Sequence, residues 1–252
     1  MNTLVAATDP SQNLFQQAID ASIPIGQYQL HVLEVVGVLI GVVSAWFGMR
    51  RKVWAWPVGI LANIMLFFVY IGATLGADVR IPLFGQAGRQ VFFIVVSIYG
   101  WVTWAAVQRR GGAGAPAVHP RWMTTRERLV VGAGWLLGTV LVHQVFVALW
   151  NLAPNPYWTP QWWFYWCDAW IFVGSIVATY AMARGWNEFW LAWIGVDLVG
   201  VPLGFATGYV PTSIMYIFYG AFVLYGFSQW VKVTRAEAAE RERTTAEPAP
   251  VG

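Results

Sequence analysis

Seven stretches of this chain, 31–49, 54–75, 87–107, 129–150, 163–183, 188–207 and 211–231, are predominantly apolar and each close to the length that crosses a bilayer as a helix, about 20 residues. Hydrocarbon offers backbone groups no hydrogen-bond partner, so such stretches must satisfy themselves as helices. Composition agrees: 58% of residues are hydrophobic and 11% charged, against roughly 25% charged in a soluble domain. Lipid is the solvent that this balance requires. The expected fold is an all-α integral membrane protein of seven transmembrane helices.

The basic residues predict its orientation. Arg50, Arg51 and Lys52 follow the first stretch; Arg109, Arg110, Arg121, Arg126 and Arg128 lie between the third and fourth; Arg184 follows the fifth; Lys232, Arg235, Arg241 and Arg243 follow the seventh. Only Arg80 and Arg89, of 15 Lys and Arg, lie at the other side. Positive loops stay inside, so the N-terminus is expected outside and the C-terminus in the cytoplasm of a cell with this protein in its plasma (inner) membrane. The start of the chain lacks a basic region and is broken by Pro10 and Pro24, unlike a cleaved signal peptide.

Two motifs occur twice. Trp56-Pro-Val-Gly-Ile-Leu-Ala-Asn63 is echoed by Trp190-Leu-Ala-Trp-Ile-Gly-Val-Asp197, and Tyr99-Gly100-x-x-x-Trp104 by Tyr225-Gly226-x-x-x-Trp230. Stretches one to three therefore match five to seven. The fourth returns the chain to its starting side, which makes the two repeats parallel, a 3+1+3 arrangement. The expected organisation is an extracellular segment 1–30, a first three-helix repeat 31–107, a cytoplasmic loop 108–128, a lipid-facing linker helix 129–150, a second repeat 163–231, and a charged tail 232–252 read as a short helix followed by disorder. Paired polar residues at mid-depth in two like repeats are the pattern of a transporter with its site between them.

Several stripes mix polar and aromatic side chains at helical spacing: Trp56, Asn63, Phe67 and Tyr70; Gln86, Gln90, Phe93, Ser97 and Trp104; Asp168, Phe172, Ser175 and Thr179; Trp190, Trp193 and Asp197; and Tyr216 with Tyr219. Such faces suit a flat heteroaromatic ring with a polar tail, rings stacking on Trp and Tyr while amides and carboxyls bond the edges. The candidate substrate-binding residues are Trp56, Asn63, Gln86, Gln90, Asp168, Trp190, Trp193, Asp197, Tyr216 and Tyr219. Asp197 stands out, since an ionisable group at mid-span costs at least ~2.5 kcal/mol to insert. Structural roles compete for several of these. Asn63 and Gln90 could bond a neighbouring helix, and Arg89 can reach outer headgroups along its stem. Trp54, Trp104, Trp150, Trp158, Trp162, Trp186 and Trp230 are expected in the aromatic belt at the membrane boundary. Glu188 is expected to help start its helix. Gly37, Gly41 and Ala45 form a packing seam.

Other chemistries lack their residues. One cysteine, Cys167, excludes an intrachain disulfide, and His31, His119 and His143 show no metal-ligand spacing. No phosphate-binding Gly-rich loop with a Lys, no zinc-binding His-Glu-x-x-His and no nucleophile elbow is present. No Lys within the seventh stretch could hold a retinal, and the basic loops need no nucleic-acid partner once orientation explains them. No metal and no cofactor are expected, and the chain is not expected to be an enzyme.

The chain resembles the Pnu-type vitamin transporter family (PnuC-like). The matching segments are Gln90-Val-Phe-Phe, Tyr99-Gly-Trp-Val-Thr-Trp104, Asp168, Ser175-Ile-Val-Ala178 and Glu188-Phe-Trp-Leu-Ala-Trp193. Within the family it is most similar to the riboflavin branch, called RibM or PnuX. That likeness rests on Ser44-Ala-Trp-Phe-Gly-Met-Arg-Arg51, Val53-Trp-Ala-Trp-Pro57, Gly85-Gln-Ala-Gly-Arg-Gln90, Asp168-Ala-Trp-Ile-Phe-Val-Gly-Ser175 and Val196-Asp-Leu-Val-Gly-Val-Pro202. The resemblance implies a fold like a full-length SWEET sugar transporter, a homotrimer, and facilitated diffusion of a vitamin trapped inside by phosphorylation. Its substrate would be riboflavin, with Trp190 stacking the flavin ring and Asn63, Gln90 and Asp197 bonding its imide edge or ribityl chain. The nicotinamide riboside branch usually carries Asn where this chain has Asp197. Nicotinamide riboside or thiamine, both cations, remain alternatives that an ionised Asp197 would favour. A seven-helix receptor or sensor that binds its ligand without moving it is the alternative of another class.

Overall fold

The computed structural model describes residues 22–25, 28–75, 84–112, 115–152, 159–206 and 210–246. Among them a short hairpin, β1 (Ser22–Ile25) paired antiparallel with β2 (Tyr28–His31), precedes seven helices. These are α1 (Val32–Met49), α2 (Ala55–Leu75), α3 (Phe84–Gly111), α4 (Thr125–Leu152), α5 (Phe164–Ala183), α6 (Glu188–Ala206) and α7 (Val210–Ala246). Each falls on one of the seven apolar stretches. Four helical segments among the described residues are long and apolar enough to cross a membrane: Gly88–Gly111, Thr125–Leu152, Phe164–Ala183 and Glu188–Ala206. Shorter apolar segments, Val35–Met49 and Ala55–Val69, lie in α1 and α2.

Two features differ from expectation. The hairpin lies in a segment read as polar and irregular; Ile23, Ile25, Tyr28 and Leu30 around Gly26-Gln27 supply the strand-forming residues. The charged tail does not begin as a separate helix. α7 runs unbroken to Ala246, because 227–246 holds neither Gly nor Pro and is rich in Ala, Glu and Arg.

The chain divides into two compact units, Met1–Val102 with Ala148–Pro160, and Thr103–Val147 with Gln161–Gly252. In the first unit, α1 and α2 form a tight helical hairpin. The Ser44 hydroxyl donates to the Ala55 carbonyl at 2.7 Å, and an added Cβ at Gly59 would meet that hydroxyl at 2.8 Å. α1 ends in a left-handed residue, Arg51 at φ 56°. Its N–H bonds Gly48 O, and the next N–H, Lys52, bonds Phe47 O, the helix-ending pattern in which two orphan carbonyls are closed.

The second unit contains the same turn 134 residue numbers on. Gly185 has φ 70°, its N–H bonds Met182 O, and Trp186 N–H bonds Ala181 O. The entries into the following helices also correspond: Ala55 N–H to Lys52 O and Trp56 N–H to Val53 O in the first, Phe189 N–H to Trp186 O and Trp190 N–H to Asn187 O in the second.

The loop after α3 is docked onto this second turn. Arg121 N–H bonds Gly185 O and Asn187 N–H bonds Arg121 O. The Glu188 carboxylate accepts from Met123 N–H at 3.1 and 3.0 Å and from Arg128 at 2.9 Å, while the Asn187 amide donates to Thr234 Oγ1 at 2.9 Å. The start of α4 is capped reciprocally: Thr124 N–H donates to Glu127 Oε2 at 2.8 Å and Glu127 N–H to Thr124 Oγ1 at 3.3 Å. Arg121 forks onto the same carboxylate at 2.9 and 2.6 Å. That guanidinium, with Thr124, holds the Glu127 carboxyl down to about 2, and Glu127 in turn raises Arg121.

α4 otherwise buries little of itself, as a lipid-facing helix would. Its anchor is Trp135, whose ring lies against Gly174 and Gly195, where added Cβ atoms would fall 2.4 and 3.2 Å from it. The Trp135 indole N–H donates to Trp170 O at 3.3 Å, and that of Trp170 to Gly195 O at 2.9 Å.

Candidate functional site

The doubled motifs turn out to mark one packing contact made twice. Trp56 on α2 lies against Gly100 on α3, and Trp190 on α6 against Gly226 on α7. An added Cβ would come within 2.5 Å of the Trp56 ring at Gly100 and 2.2 Å of the Trp190 ring at Gly226. Only glycine lets the helix backbone approach an indole so closely. Both tryptophans are 3% exposed. Trp190 also packs on Phe189, Phe222 and Trp230, with centroids 4.3, 6.3 and 6.2 Å away. Its ring faces are covered by protein in this conformation.

The belt assignment needs correction at three positions. Trp104, Trp186 and Trp230 are 1, 4 and 0% exposed, so they belong to the protein interior rather than to a lipid-facing belt. The Trp104 N–H donates to Ala183 O at 3.1 Å, and the Arg121 and Arg184 guanidiniums lie over the Trp186 ring at 5.5 and 5.3 Å. Spacing near a span end does not separate a belt tryptophan from one enclosed by neighbouring helices. Trp54 and Trp162 are exposed as a belt requires, and Trp158 lies outside the described residues.

Because Trp190 is wedged against α7, the rotation of α6 is set, and Asp197, two turns further on, faces α7 as well. An added Cβ at Gly220 would lie 3.8 Å from Asp197 Oδ2. This oxygen is buried and has no hydrogen-bond partner among the described residues. Beside it opens a hollow of about 330 Å³ lined by Ile194, Asp197, Leu198, Val201, Pro202, Tyr216, Ile217, Gly220 and Leu224. Its walls are almost wholly apolar, with one carboxyl and one phenol. A buried carboxyl oxygen without a donor is costly, and the apolar hollow beside it suits the flat, apolar part of a ligand.

Of the ten candidates, the structure brings Asp197 and Tyr216 together in this hollow. Trp193, Tyr219 and Asp168 are half-buried in the same unit and do not line it. In the first unit, Gln90 is 2% exposed and Asn63 half-buried on α2. Gln86 lies on α3, but its side chain is outside the described residues. The sequence reading missed Pro202, Gly220 and Leu198 as lining residues. Pro202 inside an apolar stretch, five residues after an Asp, was the available signal.

Residues 31–232 match the model of the family described as nicotinamide mononucleotide transporter. The chain is 40% identical over 205 residues to the riboflavin/roseoflavin transporter RibM of Streptomyces davaonensis, covering 81% of this chain and 87% of that protein. It is 28% identical over 238 residues to the nicotinamide riboside transporter PnuC of Escherichia coli, covering 87 and 94%. The fold is similar to that of a crystal structure of the vitamin B3 transporter PnuC, with a TM-score of 0.61 and 21% identity over 81% of this chain and 82% of that one. The chain therefore belongs to the nicotinamide mononucleotide transporter family, the Pnu-type family that its motifs resemble.

Proposed function

We propose that this protein is a membrane transporter that takes up riboflavin by facilitated diffusion, a uniporter working by alternating access, its substrate trapped inside by phosphorylation. The observation that carries this is the 40% identity to a riboflavin/roseoflavin transporter across most of both chains, against 28% to a nicotinamide riboside transporter. Two features support it. The hollow at Asp197 and Tyr216 is apolar and roomy enough for part of a flat ring system. Asp197 also departs from the Asn usual in the nicotinamide riboside branch.

The finer architecture belongs to the same proposal. Seven spans are arranged as 3+1+3 parallel repeats, like a full-length SWEET transporter, and the chains assemble as a homotrimer in the plasma membrane. Matching turns at 50–56 and 184–190 and matching Trp–Gly contacts support the repeat. The placement of Lys and Arg supports an outer N-terminus and a cytoplasmic C-terminus. The domain boundaries are those that the apolar stretches suggest. Asp197 and Tyr216 hold the substrate, with Asn63, Gln86, Gln90, Asp168, Trp193 and Tyr219 as further contacts. Trp56 and Trp190, packed against Gly100 and Gly226, reach the substrate only in a conformation that uncovers their rings.

The test is uptake of labelled riboflavin into liposomes holding the purified protein, with nicotinamide riboside and thiamine as competitors. Saturable entry without an imposed ion gradient, unaffected by either cation, is the expected result. Entry blocked by nicotinamide riboside or thiamine would reassign the substrate. Tight binding without entry would place the chain among receptors.

A further inference from the structure

The first turns of α4 are held to α5 and α6 at two places and stand off them in between. At one end Arg128 meets Glu188 Oε1 through Nε and Nη2, both at 2.9 Å. At the other, seven residues and about 10 Å further along the helix, Trp135 lies against Gly174 and Gly195. Between these points a cleft of about 230 Å³ opens among Val131 and Gly132 of α4, Val177 and Ala181 of α5, and Leu191 and Ala192 of α6. Residues as small as Gly132, Ala181 and Ala192 let helices approach closely, yet an added Cβ at Gly132 would meet nothing within 4 Å. The indole and the ion pair prop the helices apart.

An unfilled apolar cleft forfeits dispersion contacts, and on the surface of a membrane helix the solvent that can fill it is hydrocarbon. The cleft is smaller than the roughly 300 Å³ at which small-molecule pockets begin, so it suits a chain rather than a ring system. The surface at its Arg128 end is basic. The Arg128 side chain is 54% exposed and that of Glu188 14%; for Arg121 and Glu127 the values are 43 and 25%. In both pairs the cation is the outer member, and Nη1 of Arg128 has no hydrogen-bond partner among the described residues. We infer that this cleft holds an acyl chain of one anionic phospholipid, from the leaflet on the side of the Arg-rich loop, with its phosphate on Arg128. Exposed arginine at headgroup level attracts anionic lipid, and the adjoining cleft fixes where that lipid sits.

This lipid site does not depend on the riboflavin reading. Its test titrates the purified full-length protein in detergent with phosphatidylglycerol or phosphatidylcholine of the same acyl chains, and native mass spectrometry reads the lipid bound. Wild type is expected to bind phosphatidylglycerol about fivefold more tightly, the pull of one arginine. Gly132→Leu fills the cleft and should weaken both lipids about tenfold, the worth of two buried methylenes. Gly134→Leu, where an added Cβ also meets nothing within 4 Å but which does not line the cleft, should bind as wild type does. Both should melt no lower than wild type, since leucine favours the helix over glycine. Arg128→Gln combined with Glu188→Gln, which leaves no carboxylate unpaired, should bind the two lipids equally. Wild-type lipid affinity in Gly132→Leu would overturn the inference, leaving annular lipid only. Equal binding of the two lipids by wild type, or a preference kept by the double variant, would also overturn it. A change in the mass of the assembly in Gly132→Leu, with lipid affinity intact, would overturn it by giving the cleft to a second copy of the chain.

Discussion

The turns at 50–56 and 184–190 make the same hydrogen bonds with different residues. Each ends a helix on a left-handed residue and starts the next helix three or four residues later. The first uses Arg51 at φ 56°, the second Gly185 at φ 70°. A side chain is tolerated at 51 at a cost of about 1–2 kcal/mol. At 185 it is not, because Val118 from the docked loop stands 2.5 Å from where a Cβ would be. The second turn has become a scaffold onto which 117–123, Thr234 and Arg128 are tied through Asn187 and Glu188. At the corresponding positions the first turn carries Val53 and Trp54, and Trp54 is 66% exposed. A backbone solution is thus reusable while its surroundings are not, and the surroundings decide which residue may occupy it.

This comparison can be broken most sharply at the tryptophans. Trp190→Ala should cost about 3–5 kcal/mol of stability through the cavity left against Gly226, read as a fall in the melting temperature of purified protein. Trp56→Ala should cost a similar amount if the two contacts are equivalent. A Trp190→Ala protein that melts normally but binds flavin weakly would instead make Trp190 a stacking residue. Next in size, Gly185→Ala should cost about 2–3 kcal/mol, combining a disfavoured φ with overpacking against Val118. The same melting assay would refute this if the variant were neutral. Asn187→Ala removes the tie to Thr234 at about 1 kcal/mol, and limited proteolysis should then cut 108–124 faster than in wild type. An unchanged cleavage rate would mean that the backbone bonds to Arg121 suffice. The smallest effect is a gain: Arg51→Gly should raise stability by up to about 1 kcal/mol, relief of strain being partly offset by glycine entropy. A loss would show that the Arg51 side chain contributes contacts worth more than the strain.

Much of the fold was legible because lipid leaves the backbone few choices. Apolar stretches near 20 residues, bounded by Arg and Lys, placed the seven helices found among the described residues. The site was legible in part. Asp197 stood out because ionisable groups are rare and costly at mid-span, and it is the residue found at the hollow with Tyr216. The packing of Trp190 against Gly226 was not legible, since a tryptophan on a polar stripe presents the same pattern whether it meets a ligand or a glycine of the next helix. Trp104, Trp186 and Trp230 were misplaced for the same reason.

The sequence by itself determined that the chain is a helical membrane protein, where its described helices run, and that two of its motifs recur. These are local or compositional properties, set by apolar length and by identical residues at identical spacing. Only the tertiary structure decided that the repeated Trp and Gly are partners, that the Arg-rich loop is tied to the turn at 184–190, and that Asp197 shares a hollow with Pro202 and Tyr216. The facing pairs Trp56–Gly100 and Trp190–Gly226 lie tens of residues apart in the chain, and which faces meet depends on the rotation of each helix, a quantity that no single apolar stretch encodes.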